Sequence, residues 1–252
     1  MLVLVVDSST PAVTAALAEV TDHGAVIRAE RRAVDAKAHG ELLAPAVGAV
    51  LAEAGAGPRD LDAIVAGLGP GPFTGLRVGL VTAASMGQTL DIPTYGVCSL
   101  DALGRAGEDG RVLRAGEDGR VLRAGEDGRV LRAGEDGRVL AATDARRKEI
   151  YWAVYDPAAP ARITEPDVDL PAAVAERVAG LGVTSAVGEG AHKYADVLGL
   201  PVRDEPRYPP AAALVELAAE RIRAKAPGER LTPLYLRRPD AVAAAGRKPV
   251  LR

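Results

Sequence analysis

A glycine-rich turn between a short apolar segment and a long helical one constrains the fold of this chain most. The segment Gly67–Leu80 reads GLGPGPFTGLRVGL and follows an apolar run at 61–66. A strand, a turn and a helix in this order are typical of α/β proteins with parallel crossovers. Pro70 and Pro72 have no N–H, and the turn has neither the Lys-Ser/Thr pair of a P-loop nor the dinucleotide spacing. We therefore expect an α/β fold without a standard phosphate-binding loop.

Small residues recur at every fourth position of the helix that follows. They are Gly75, Gly79, Ala83 and Gly87, and this spacing places them along one helix face. Glycine inside a helix costs roughly 1 kcal/mol relative to alanine, so the pattern indicates that something packs very close to this face. Two interpretations stay open: a smooth face against the protein's own sheet, or a seam for a partner subunit.

Periodicity predicts a consistent order of elements in the first hundred residues. We expect strands at 2–6, 12–20 and 24–34, a helix at 39–54, the strand and helix around the glycine-rich turn, and a strand at 94–97. After residue 140 the pattern restarts. Strands are predicted at 139–143, 150–155 and 183–187, and helices at 170–178 and 211–225. The sequence thus predicts an N-terminal lobe at 1–104 and a C-terminal lobe with a basic tail at 141–252.

Four exact copies of RAGEDGRVL fill residues 105–140 between the two predicted lobes. Each copy holds two Arg, one Glu and one Asp, so the block has no net charge. Its Asp-Gly pairs indicate turns, and the Arg-Val-Leu triplets between them are short for strands. The unit buries little apolar area against the cost of ordering it, so we expect a flexible or weakly hairpin-forming insertion.

Composition narrows the classes of function. The formal net charge is −3, which gives no global electrostatic reason for binding nucleic acid. One cysteine, Cys98, excludes an internal disulfide framework and fits a reducing compartment. No apolar run reaches membrane length, and the N-terminus lacks the basic region of a signal peptide, so we expect a cytoplasmic protein without a membrane segment. The three histidines are His23, His39 and His192, too far apart in sequence for a familiar metal motif, and no metal or cofactor is predicted.

Five segments resemble the TsaB (YeaZ) family. They are DSST at 7–10, HGELLAP at 39–45, the glycine-rich turn at 67–80, DARRKEIYWAVYD at 144–156 and PLYLRRPDA at 233–241. The resemblance implies a two-lobed α/β fold of the actin, sugar-kinase and heat-shock-ATPase type, with mixed sheets. It also implies a dimerisation and scaffold subunit that binds and activates a catalytic TsaD-type subunit. That complex makes threonylcarbamoyladenosine beside the tRNA anticodon, with a TsaE-type ATPase as a further component. The fourfold repeat departs from the family pattern.

The resemblance also predicts that this chain has no catalytic residues of its own. The catalytic relative carries a His-x-x-x-His metal motif where this chain has Ser99 to Leu103. Leucine has no donor atom and serine is a poor metal ligand. We expect no transfer activity from the isolated chain, and contact with tRNA only indirectly, through the complex.

The resemblance places the partner interface on the helices of the first lobe. Arg77, among apolar neighbours, is a candidate for an ion pair across the interface or within the chain. Whether the chain forms a homodimer when alone stays open. The expected interface residues are His39, Leu43, Gly75, Arg77, Gly79, Ala83 and Gly87.

Two alternative functions make different demands on the sequence. An ATP-dependent sugar or acid kinase of the same fold would use Asp7 for a phosphate-bound metal and Gly188–Gly190 beside the adenosine, although Asp7 and its serines equally suit a turn that bonds to its own backbone. A metalloprotease would need a zincin motif, which the sequence lacks. The basic tail at 237–252 is expected to be solvated, with RNA contact as the alternative.

Overall fold

The computed structural model of the chain describes residues 1–106, 120–121, 131–132, 137–156 and 162–237. The first lobe is built in chain order from β1 (Leu2–Asp7), β2 (Ala12–Thr21), β3 (Gly24–Val34), α1 (His39–Glu53), a 3-10 turn (Pro58–Asp60), β4 (Ala63–Gly67), α2 (Phe73–Leu90), β5 (Thr94–Val97) and α3 (Ser99–Gly104). The following elements are β6 (Arg120–Val121), β7 (Leu131–Arg132), β8 (Arg138–Asp144), β9 (Ile150–Tyr155), β10 (Asp167–Asp169), α4 (Pro171–Val178), β11 (Val183–Val187), α5 (Glu189–Lys193), α6 (Ala195–Leu198) and α7 (Ala211–Arg223).

The first sheet has the strand order β3-β2-β1-β4-β5. β1, β2 and β3 form an antiparallel meander, whereas β4 and β5 run parallel to β1. Side chains alternate between the two faces of β1: Leu4 and Val6 pack in the core cluster of α1 and α2, and Val3 and Val5 pack in that of α7. β1 is apolar almost throughout because helices cover both of its faces.

The second sheet has the order β10-β9-β8-β11, with β8 and β9 antiparallel and β11 parallel to β8. One face packs with α4, α5 and α6 around Trp152. The other face packs with Leu100 and Leu103 of α3, so α3 joins the cores of the two lobes. The predicted fold class, a two-lobed α/β fold with mixed sheets, is confirmed.

Helix α7 follows the second lobe in sequence but packs on the first sheet. Ala211, Leu214, Ala218 and Ile222 lie in the same core cluster as Val3 and Val5. The residues predicted for the C-terminal lobe therefore also supply one face of the N-terminal core. The lobe boundaries at 104 and 141 stay a prediction. No helix in the described part of the chain is long and apolar enough to cross a membrane.

The end of the repeat is part of the second sheet. The last copy supplies Arg138, Val139 and Leu140, which begin β8, and both apolar side chains are buried. Because all four copies are identical, any copy that precedes Ala141 would supply the same triplet. Within the described residues, β6 and β7 pair antiparallel. The flexibility predicted for the insertion concerns mostly 107–119, 122–130 and 133–136, which lie outside the described residues.

Candidate functional site

A cleft of about 790 Å³ lies between the two lobes. Its first-lobe wall consists of the turn after β1 and the N-terminal ends of α1 and α2. The opposite wall is the hairpin that joins β8 to β9, and the segment after α7 closes one side. The charged residues in the lining are Lys37, Asp144, Arg146, Arg147 and Arg237.

Asp7, at the end of β1, is buried beneath the glycine-rich turn. Its Oδ1 accepts hydrogen bonds from the backbone N–H and the hydroxyl of Ser9, at 3.0 and 2.8 Å. Its Oδ2 accepts one from the hydroxyl of Ser99 at 2.6 Å. Burial raises the pKa of the Asp7 carboxyl, and the hydrogen bonds from Ser99 and Ser9 oppose that rise. Both oxygens are thus engaged inside the fold rather than turned to the cleft.

The glycine-rich turn packs directly on the residues around Asp7. A Cβ on Gly67 would lie 1.7 Å from Asp7 Oδ2, and one on Gly71 would lie 2.1 Å from the Ser9 carbonyl oxygen. The N–H of Gly69 donates to Ser99 Oγ at 3.1 Å, and the N–H of Ser99 donates to the Gly69 carbonyl at 2.8 Å. Glycine at these positions lets the backbone of the turn approach Asp7 and Ser9 closely. The hydrogen bonds between Gly69 and Ser99 point into the protein and away from the cleft.

The stripe of small residues on α2 faces this chain's own sheet. The N–H of Gly79 donates to Ser8 Oγ at 2.8 Å, and Ser8 Oγ donates to the Gly75 carbonyl at 2.8 Å. A Cβ on Gly87 would lie 2.5 Å from Thr94 Cγ2, and Ala83 is fully buried. The structure thus favours the first interpretation, a face that packs within the protein itself, because the turn after β1 and the start of β5 occupy the space beside the stripe.

The other predicted interface residues divide between core and surface. Leu43 is buried in the first core, and His39 is buried with its Nε2–H donating to the Thr10 carbonyl at 2.7 Å. Arg77 stays exposed. Its guanidinium lies 3.7 Å from the ring centroid of Phe73, and its Nε donates to the Tyr235 hydroxyl at 2.7 Å. Within the chain the contacts of Arg77 are therefore aromatic rather than an ion pair, and an ion pair across an interface stays a prediction.

The solvent-facing side of α1 and α2 is the surface that sequence reasoning missed. We call it the outer helix face and define it by Ala44 and Gly48 of α1 and Val81, Ala84 and Ser85 of α2. Val81 is 61% exposed, and a Cβ on Gly48 would meet nothing within 4 Å. The sequence did contain a sign of this surface, because a further small residue, Ala84, directly follows Ala83 of the buried stripe. Periodicity could not say which of the two adjacent faces pointed inward.

The hairpin between β8 and β9 has an unusual tip. Arg146, Arg147 and Lys148 are exposed and have φ values of 60°, 54° and 64°, a region that L-residues with side chains rarely occupy. Arg237 supports the hairpin: its guanidinium donates to the Ala145 carbonyl at 3.1 Å and pairs with Glu149. The expectation of a solvated tail is therefore wrong for Arg237, and residues 238–252 lie outside the described part.

Gly188 and Gly190, which the kinase alternative placed beside adenosine, pack against β8. A Cβ on Gly188 would lie 2.4 Å from the Ala142 carbonyl oxygen, and one on Gly190 would lie 2.6 Å from the Thr143 carbonyl carbon. These glycines allow α5 to approach the sheet closely. With Asp7 also engaged internally, both residue sets that the kinase alternative needed have structural roles here.

Glu189, between Gly188 and Gly190, accepts a hydrogen bond from the Asp144 N–H at 2.9 Å. The Asp144 carboxylate pairs with Lys193 at 2.9 Å. Burial raises the pKa of Glu189 to about 7, and the charge of Asp144 adds to the rise. The folded chain therefore retains a proton on Glu189 that the unfolded chain loses above its ordinary pKa of 4.5. It follows that this group lowers the free energy of unfolding as pH rises from about 4.5 to about 7.

Glu189→Gln removes that titration and keeps an oxygen for the Asp144 N–H. We expect the variant to match the parent near pH 4 and to exceed its free energy of unfolding by up to about 3 kcal/mol at pH 8. Urea denaturation at both pH values measures the difference, and Glu176→Gln, at an exposed position of α4, is the control. A difference that is the same at both pH values would contradict the assignment.

The two positions that correspond to the metal ligands of the catalytic relative hold buried side chains in this chain. Ser99 is buried and bonded to Asp7, and Leu103 is fully buried in the core between the lobes. His192 lies in α5, and its Nε2–H donates to the Arg203 carbonyl at 3.0 Å. His23 is exposed on the turn between β2 and β3. Among the residues that the structure describes, no three His, Cys, Asp or Glu side chains are grouped so that they could hold a metal ion.

Comparisons of sequence find similarity to uncharacterized mycobacterial proteins and to proteins of tRNA threonylcarbamoyladenosine biosynthesis. An uncharacterized protein of Mycobacterium tuberculosis (strain H37Rv) is 43% identical over 239 residues, which cover 95% of this chain and 93% of that protein. An uncharacterized protein of Mycobacterium leprae is 42% identical over 95% of this chain, which spans only 56% of that longer protein. The Bacillus subtilis tRNA threonylcarbamoyladenosine biosynthesis protein TsaB is 39% identical over 71 residues, 28% of this chain and 31% of that protein.

Comparisons of structure cover nearly the whole chain. YeaZ from Pseudomonas aeruginosa has a TM-score of 0.67 at 25% identity, over 93% of this chain and 99% of that one. A second structure, described as having similarity to peptidase YEAZ from Pseudomonas aeruginosa, has a TM-score of 0.68 at 27% identity, over 94% and 99% of the two chains. The family model described as TsaD, tRNA N6-adenosine threonylcarbamoyltransferase, matches residues 32–120.

Proposed function

This chain belongs to the TsaB (YeaZ) family, and on that premise we propose that it acts in tRNA threonylcarbamoyladenosine biosynthesis as a non-catalytic subunit. In this proposal it binds and activates a TsaD-type subunit in the cytoplasm, and a TsaE-type ATPase joins the complex. The tRNA adenosine beside the anticodon is modified at the centre of the TsaD-type subunit.

The internal use of Asp7 is the observation that carries the non-catalytic assignment. Each of its carboxylate oxygens accepts a hydrogen bond from Ser9 or Ser99, and Gly67 and Gly71 pack against the same residues. A metal or phosphate there would have to displace buried hydrogen bonds, each worth about 1 kcal/mol or more. Ser99 is one of the two positions that correspond to the relative's metal ligands, and here its hydroxyl donates to Asp7. This packing supports a scaffold rather than a second catalytic centre.

The outer helix face suits a partner of related structure. The TsaD family model matches residues 32–120, a segment that contains both α1 and α2. A TsaD-type partner therefore carries a related pair of helices, and two such pairs can meet about a pseudo-two-fold axis. Ala44, Gly48 and Ala84 allow close approach of helices, and Val81 supplies exposed apolar area. The same face would support a homodimer when the partner is absent.

Reconstitution of the reaction tests the proposal. With unmodified tRNA and an activated threonylcarbamoyl donor supplied, we expect the purified chain to transfer no threonylcarbamoyl group, and transfer to appear when TsaD-type and TsaE-type subunits are added with ATP. Omitting only this chain from the mixture should abolish or strongly reduce the rate. Robust transfer by the chain alone, or an unchanged rate without it, would contradict the proposal.

A further inference from the structure

The cleft between the lobes is not used by the proposed scaffold role, and it is basic in a chain whose net charge is −3. Lys37 comes from the first lobe, and Arg146 and Arg147 come from the opposite wall. All three side chains are exposed. The acidic residue in the lining, Asp144, pairs with Lys193, and Arg237 pairs with Glu149. Lys37 on one rim and Arg146 on the other therefore bring positive charge to the cleft.

The hairpin tip holds its cations in a strained conformation. Three consecutive residues with side chains, Arg146, Arg147 and Lys148, have positive φ. Asparagine or glycine adopts this region at lower cost, and each strained residue typically costs about 1 kcal/mol or more. Residues that are strained in this way cluster at functional sites. Selection for stability of the fold alone would favour residues that adopt positive φ without strain. The tip therefore carries exposed cations, although asparagine or glycine at the same positions would be less strained.

Two aromatic side chains of the cleft come from the start of α2 and from the segment after α7. Phe73 is 52% exposed and Tyr235 is 40% exposed, and their rings stack with centroids 5.2 Å apart. Arg77 covers Phe73 and fixes the Tyr235 hydroxyl. Both aromatic residues line the cleft. Exposed rings that are held rigidly beside cations are the usual surface for stacking unpaired bases.

We propose that this cleft binds a single-stranded segment of RNA, with phosphates at the tip cations and a base on the Phe73–Tyr235 pair. The inference rests on the proposed function, in which the RNA is the tRNA substrate, and it makes the contact of this chain with tRNA direct. A strand fits better than a mononucleotide. The cations stand on opposite rims, and the glycine-rich turn directs its hydrogen bonds to Ser99 and away from the cleft.

A double variant separates RNA binding from folding. Arg146→Asn with Arg147→Gly removes two cations and gives both positions residues that adopt positive φ at lower cost, so we expect the variant to fold. The matched control is Lys225→Asn with Arg59→Gln. It removes two exposed cations far from the cleft, one of them also at positive φ. Phe73→Leu tests stacking without any change of charge.

Affinity for an unmodified, end-labelled tRNA transcript is measured across salt concentrations, for the full chain alone and in complex with the TsaD-type subunit. The double variant should lose at least tenfold in affinity, and the slope of log affinity against log salt should fall in magnitude by about 1.4, or about 0.7 for each phosphate contact. Phe73→Leu should lose roughly tenfold with the slope unchanged. The control should bind like the parent.

The outcomes separate this inference from the proposed function. Equal affinity of the parent and the double variant, equal loss in the control, or no tRNA binding by chain or complex would overturn the cleft assignment. Binding of labelled ATP that depends on Arg146 and Arg147, with tRNA binding unchanged, would overturn it in favour of a mononucleotide. If either result occurs while transfer still requires this chain, the scaffold role stands and only the RNA site fails.

Discussion

Gly79→Leu is expected to lower the free energy of unfolding by about 3 kcal/mol or more, or to prevent folding. A Cβ at this position would lie 2.6 Å from Ser8 Oγ, and the Gly79 N–H donates to that same atom. The larger side chain would push α2 away from the turn that follows β1 and break the buried hydrogen bonds of Ser8. Overpacking and the loss of buried hydrogen bonds each cost about 1–3 kcal/mol. Urea denaturation followed by circular dichroism measures the loss.

The control for this change is Ala84→Leu, which places the same side chain on the solvent side of α2. It should unfold at nearly the same urea concentration as the parent, since exposed substitutions usually change stability by less than about 0.5 kcal/mol. A Gly79→Leu variant that is as stable as the parent would mean that the small-residue stripe does not pack against Ser8. In that case the second interpretation of the stripe, as a partner seam, would regain its support.

Val81→Asp is expected to weaken binding of the TsaD-type subunit by about 2 kcal/mol or more, roughly thirtyfold, while stability changes little. Val81 is 61% exposed at the centre of the outer helix face, so the free chain tolerates a charge there. In the complex the same carboxylate would be buried without a partner, which is among the most costly substitutions at an interface. Isothermal titration calorimetry measures the affinity, and the transfer rate should fall in parallel.

Val197→Asp is the matched control for this prediction. Val197 is 50% exposed and lies in α6 of the second lobe, away from α1 and α2. It should bind the TsaD-type subunit with the affinity of the parent. Unchanged binding by Val81→Asp would show that the partner docks elsewhere, and equal losses in the two variants would point to a general effect of the added charge.

The elements and their order could be predicted from the sequence because the signals are local. The helix predicted near 73–90 is α2 at Phe73–Leu90, and the strand predicted at 94–97 is β5 at Thr94–Val97. Glycine and proline limit the allowed backbone angles, and the spacing of apolar residues follows the period of each element. Such signals involve residues within a few positions of each other. The resemblance of five sequence segments indicated the TsaB (YeaZ) family, and the comparisons confirm it.

The candidate site depended on contacts between residues distant in sequence. Ser99 reaches Asp7 across 92 positions, and Arg237 reaches the hairpin carbonyl of Ala145 across 92 as well. α7 follows the second lobe but covers the first sheet, which its amphipathic pattern could not specify. An apolar stripe predicts that a helix is covered but gives no information about which surface covers it.

The stripe on α2 shows the same division between sequence and tertiary structure. The spacing of Gly75, Gly79, Ala83 and Gly87 determined by itself that some backbone or side chain comes very close to this face. The tertiary structure alone decided that the neighbours are Ser8 and Thr94 of this chain, so that the outer helix face, and not the stripe, is exposed. The physical reason is that removing side chains permits close approach equally to any surface, and only the packing of the whole chain settles which surface is there.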